Sequence, residues 1–179
     1  MPDSDTGAPP RVVLVTAAAL AVALAVAVAV FALTQRSQDS AGSGPLPLVP
    51  VPAPAAGSPG CTTLLGAVPA ELTSNGTTLK VRTLADPAPP ATVAWGDQDP
   101  LVLRCGLDRP PELTPTAALR LVNKVQWLQV PGDGSSTWYV VDREVYAALT
   151  VPDSAGTGPL QQISDTVAAK LPAKPLRFS

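Results

Sequence analysis

Trp95, Arg104, Trp127 and Arg143 are the residues of this sequence best suited to holding a ligand. An arginine offers a planar fork of donors that matches a carboxylate, and it stacks on an indole face. Such a set would line a ligand groove. The same residues also fit a structural role, with each Trp at the edge of a core and each Arg in a salt bridge. Catalytic chemistry finds less support. The chain has no histidine, which excludes a Ser-His-Asp triad, a Cys-His dyad, a His metal ligand and an imidazole proton shuttle. A serine nucleophile would need a carboxylate or a lysine as its base, the candidates for a Ser-Lys pair being Lys124, Lys170 and Lys174. No Ser-x-x-Lys spacing occurs beyond Cys61. We therefore expect no catalytic residue, no metal site and no cofactor.

Other polar motifs reduce to turns. Asp97 and Asp99 are close, but the further oxygen ligands and closing Glu of a calcium loop are missing. Gly132-Asp133-Gly134-Ser135-Ser136 lacks the Lys-Ser/Thr of a phosphate-binding loop. The net charge of −2 gives no footprint for nucleic acid.

The elements that must position these residues fall into four stretches. Residues 1–11 are a short N-terminal segment. Residues 12–33 carry no charge and are flanked by Arg11 and Arg36. As a helix they would span roughly 33 Å, against about 30 Å of hydrocarbon. A single transmembrane helix is expected, with the membrane as a partner. A cleavable signal peptide, a lipoprotein signal and a buried strand compete, but a signal's apolar core is normally about 7–15 residues, Cys61 lies too far beyond the run, and a buried strand is normally about 4–8 residues. Residues 34–60 hold Pro45, Pro47, Pro50, Pro52, Pro54 and Pro59. Proline fixes φ and lacks a donor, so an extended linker is expected. Residues 61–179 form the folded domain.

Cys61 and Cys105 are the two cysteines of the chain. A paired set beyond an apolar anchor suits an exported, oxidising location. Two buried free thiols in a cytoplasmic domain are the alternative. If the pair is bridged, the domain lies outside and residues 1–11 lie inside.

Within the domain, Leu64, Leu65, Val68 and Leu72 suggest a short helix interrupted by Pro69. Asn75-Gly76 marks a turn ahead of a strand over 77–82. Short strands are expected over 92–95 and 101–105, and a turn of helix over 116–121. Residues 122–130, 137–141 and 144–151 read as an antiparallel meander. Val145, Ala147, Leu149 and Val151 are expected on its one covered face. Pro159 opens a last helix with Leu160, Ile163, Val167 and Leu171 as its apolar stripe, and Pro172 stops it. The expected fold class is α+β: a transmembrane helix plus a small extracytoplasmic domain, its antiparallel sheet covered by one or two helices.

Three local patterns carry a resemblance to a family. Gly60-Cys61 precedes Leu64, Leu65, Val68-Pro69 and Leu72. Ala94-Trp95-Gly96 precedes Pro100-Leu101-Val102-Leu103-Arg104-Cys105-Gly106. Trp127 precedes a β-rich hairpin with Arg143, then a helix ending at Leu171-Pro172. The chain resembles the actinobacterial membrane-anchored family catalogued as domain-of-unknown-function family 3515. That resemblance implies one N-terminal membrane helix, an extracytoplasmic domain and a Cys61–Cys105 pair. It implies no activity. It also implies an envelope context, since the family's genes neighbour ones for D-alanine ligation and thiamine phosphate metabolism. The expected function is therefore a non-enzymatic binding or scaffolding domain at the cell membrane, acting on an unknown envelope protein or ligand. An accessory or regulatory subunit for cell-wall precursor metabolism is the alternative, and a histidine-free enzyme is a third.

Overall fold

The computed structural model describes residues 15–16, 19–31 and 44–178. The chain divides into two compact units, Met1–Ser43 and Gly44–Ser179. In the first unit, residues 19–31 are helical, and Leu20, Val22, Leu24, Val26, Val28, Val30 and Phe31 are exposed. Among the described residues no helix is long and apolar enough to cross a membrane. The expected transmembrane helix is corrected accordingly. Positions 12–14, 17–18 and 32–33 of the expected span, and the N-terminal segment 1–11, lie outside the described residues.

The second unit is built on one open antiparallel sheet. Its strands are β1 (Glu71–Ser74), β2 (Thr77–Arg82), β3 (Thr92–Trp95), β4 (Leu101–Leu107), β5 (Leu119–Val122), β6 (Val125–Pro131), β7 (Ser135–Val140) and β8 (Tyr146–Pro152). The spatial order is β1-β2-β3-β4-β8-β7-β6-β5. Two four-stranded meanders thus join side by side along β4 and β8. Helix α1 (Pro59–Leu65) is capped by Ser58, whose side chain accepts from the Cys61 amide. Helix α2 (Gly158–Lys170) starts on Pro159 and buries Leu160, Ile163, Ser164 and Val167.

The single covered face expected for the sheet is also corrected. The sheet has eight strands and carries apolar residues on both faces. One face packs Leu103, Cys105, Trp127, Val140, Ala147 and Leu149 under the two helices. The other packs Leu107, Leu128, Tyr146 and Ala148 with Leu113 and Val141. Strand β8 accordingly buries consecutive residues, Tyr146 through Leu149, where one-sided alternation was expected. The stretch 116–121, expected as a helical turn, enters β5 instead. Asn123 and Lys124 both adopt left-handed backbone, φ 44° and 67°. Two such residues make the reverse turn that matches strand twist, and Val122 pairs with Val125 across it.

The proline-rich stretch is no free spacer from Gly44 onward. It forms a strap on the sheet. Leu46 donates to Thr83 O and accepts from Ala85 N, each at 2.9 Å. Arg82 donates to Gly44 O at 2.7 Å. Ala55 N donates to Gly106 O at 3.0 Å. Prolines that forgo ladder bonds still pack their rings, so a segment unable to pair as a strand closes over the sheet. Residues 34–43 of the expected linker lie outside the described residues.

Candidate functional site

The four ligand-groove candidates do not meet. Trp95 and Trp127 are fully buried on the helix-covered face. The Trp95 indole donates to Pro69 O at 2.9 Å. That of Trp127 donates to Ser164 Oγ at 2.9 Å, and Ser164 in turn donates to Leu160 O at 2.7 Å. Both ring nitrogens are satisfied inside the core, so neither is free for a ligand. Arg143 is also buried. It pairs with Asp142 at 2.8 Å and donates to Asp142 O and Lys124 O. It braces the reverse turn between β5 and β6 against the β7–β8 connection.

Arg104 stands apart from these three. It lies on the opposite face of β4, in the cross-strand row Arg104, Ala148, Tyr139, Leu128. Ala148 is small, so the long side chains on either side of it share the space above it. Their backbones are about 10 Å apart, two strand spacings. The next row on this face holds Val102, Thr150 and Thr137. The two threonine hydroxyls lie 3.5 Å apart. Arg104, Thr137, Tyr139 and Thr150 are all partly buried, so this part of the face is incompletely covered.

The surroundings of Arg104 are poor in partners. Its Nε is shielded from solvent and bonds nothing. Its Nη2 reaches Val49 O of the strap at 3.5 Å, the outer limit of a hydrogen bond. None of the ion pairs among the described residues includes it. Burial pushes its pKa below the ordinary arginine value, and Tyr139 offsets part of this. Burial raises the Tyr139 phenol, Glu112 adds to the rise and Arg104 opposes it. The upward shift keeps Tyr139 a neutral O–H donor at neutral pH, and arginine in proteins remains a cation.

The family match covers residues 18–176, and its description is "Protein of unknown function (DUF3515)". The chain belongs to this family. No curated protein and no solved structure matches it. A disulfide joins Cys61 of α1 to Cys105 of β4 in this DUF3515 chain, with S–S 2.02 Å. It lies on the helix-covered face, while neighbouring Arg104 points away from it.

Beside Tyr139 the DUF3515 domain has a cleft of about 200 Å³ between the strap and the loop after β4. Val51, Pro52, Leu107, Asp108 and Arg109 line it. A larger cleft of about 340 Å³ lies by Asp97, Asp99 and Ser154. Its polar groups largely answer one another: Ser154 donates to Asp99 at 3.1 Å, and Asn75 donates to Ser154 O at 3.2 Å. Among the described residues no cluster of three or more Cys, Asp or Glu could hold a metal ion.

Sequence reasoning selected Arg104 and missed Tyr139, Thr137 and Thr150. The alternation Thr137-Trp138-Tyr139 did signal that Thr137 and Tyr139 share a face. Nothing local signalled that this face would meet Arg104.

Proposed function

We propose that this protein is a non-catalytic binding domain of the cell envelope, and that its site is the half-open sheet face around Arg104 and Tyr139. One observation carries the reading: a partly buried guanidinium stands on an incompletely covered face with no acidic partner among the described residues. Folding usually satisfies buried charge, and exceptions concentrate where a ligand completes the set. The displaced titration of Tyr139 also supports binding over acid–base chemistry. Tyr139 holds its proton more tightly than a free phenol and so does not exchange it readily near neutral pH.

The disulfide supports an exported location, because such bonds persist in oxidising compartments. The uncharged run 12–33 supports attachment at a membrane surface, with an envelope protein or ligand as partner and no nucleic acid. A photo-crosslinking amino acid at Thr137, incorporated in intact cells, tests the site. A discrete adduct at Thr137 and none at Lys80, exposed on β2, is the expected result. No adduct from Thr137 would remove the site. Protease added to intact spheroplasts should cut within 61–179, and full resistance would overturn the location.

A further inference from the structure

We infer that Arg104 and Tyr139 together form an oxyanion-binding site, taking a carboxylate or phosphate group of the ligand. The inference deepens the binding reading above and rests on it. Three observations converge.

The first is a comparison among arginines. Arg82 pairs with Asp97 and caps the Gly96 and Gly44 carbonyls. Arg143 pairs with Asp142. Arg109 donates to Leu113 O at 2.7 Å. Arg177 donates to Glu144 O at 2.7 Å and lies over the Tyr146 ring. Each of these four has a short bond to an oxygen; Arg120 has none among the described residues but is exposed to solvent, whereas Arg104 is half-buried. Arg104 has one contact, at 3.5 Å; its Nε is shielded without a bond, as is that of Arg143, but Arg143 has a carboxylate at 2.8 Å and Arg104 has none among the described residues. A guanidinium carries five donors in a fixed fork. Charge-assisted bonds to an oxyanion are shorter and about twice as strong as neutral ones. An entering oxyanion would therefore replace the Val49 carbonyl readily.

The second is a neighbouring donor. Tyr139 shares the row across Ala148, and no hydrogen bond of its hydroxyl is found among the described residues. Its raised pKa keeps that hydroxyl protonated, so it donates where a carboxylate would repel. The exposed Glu112 helps to keep the phenol neutral.

The third is access. Tyr139 lines the cleft of about 200 Å³, large enough for a carboxylate or phosphate group with a few attached atoms. Asp108 and Arg109 line the same cleft, and Arg109 is engaged by Leu113 O at 2.7 Å, so Tyr139 is the wall residue that links the cleft to the row holding Arg104.

The test uses the purified, oxidised full-length chain labelled with nitrogen-15. Sodium acetate and sodium phosphate are titrated separately against sodium chloride at matched ionic strength. The readout is the Arg104 Nε–H resonance, assigned by its absence from Arg104→Lys. A saturable shift with acetate, phosphate or both, absent with chloride, is the expected result. The responding salt identifies which oxyanion the site prefers. Tyr139→Phe should weaken the response about tenfold, the value of one hydrogen bond to a charged group. Shifts that match chloride for both salts would overturn the inference, as would a Tyr139→Phe titration equal to the wild type. If Tyr139→Phe fails to fold, the wild-type titration decides alone. A Thr137 crosslink together with silent titrations would sink the oxyanion assignment and leave the binding reading standing.

Discussion

Arg143 and Arg104 carry the same guanidinium in opposite circumstances, and their substitution should show it. Arg143 is buried against Asp142. Removing one member of such a pair strands the other charge, at a cost of about 3–5 kcal/mol. Arg143→Met should lower stability by that amount in urea denaturation. Arg104 is desolvated without an acidic partner, so its charge adds little to the fold. Arg104→Met should change stability by less than about 1 kcal/mol, since an apolar chain replaces the same stem. Equal losses for the two variants would remove the contrast on which the site depends. Tyr139 adds a pH signature. Its proton is held more tightly in the folded state than in the unfolded chain, where it leaves near pH 10. The resulting stabilisation is complete below pH 10 and is lost as pH rises through the folded value. Urea midpoints measured from pH 8 to 11 should fall more steeply for the wild type than for Tyr139→Phe.

The strap is the element that decides how open the site is. It crosses the sheet at Gly106, whose φ is +85°. A Cβ there would fall 2.2 Å from Ala56 N and 2.3 Å from Ala55 C. Backbone atoms have nowhere to yield, so the strap must lift. Gly106→Ala should cost about 1–3 kcal/mol from overpacking, with the strained φ adding to it. Limited proteolysis should find new cuts within 44–58, a stretch that resists in the wild type. Unchanged resistance would mean that the strap is held elsewhere. Helix α2 depends on signals close in sequence. Pro159 sits in its first turn, and Pro172 follows its end. Those signals were legible because each acts within a single turn. The strap was not, since proline content describes its conformation and says nothing of what it lies on.

At the scale of the whole molecule, the Cys61–Cys105 bridge ties α1 to the central strand β4 across 44 positions. Closing a loop of that length in the unfolded chain corresponds to about 4 kcal/mol in the chain-entropy model. Reduction, or Cys61→Ser with Cys105→Ser, should lower the urea midpoint accordingly. Thiol labelling of the unreduced protein should leave both cysteines unmodified. A change near zero would show that core packing alone holds α1 in place. The sequence by itself determined several things. It excluded histidine chemistry, offered the two cysteines as one candidate pair with free thiols as the alternative, and placed the Asn75-Gly76 turn, strand 77–82 and helix α2. Each depends on residue type or on neighbours a few positions away. Tertiary structure decided the rest. The β4–β8 pairing sets Arg104 beside Ala148 and, one strand further, Tyr139. It also buried β8 on both faces and separated Arg104 from both tryptophans. Register between distant strands is selected by total burial over the whole sheet, and a one-residue slip would turn Arg104 to the other face. That is why a site made of two residues on strands far apart in the chain was half visible in the sequence and became complete only in the fold.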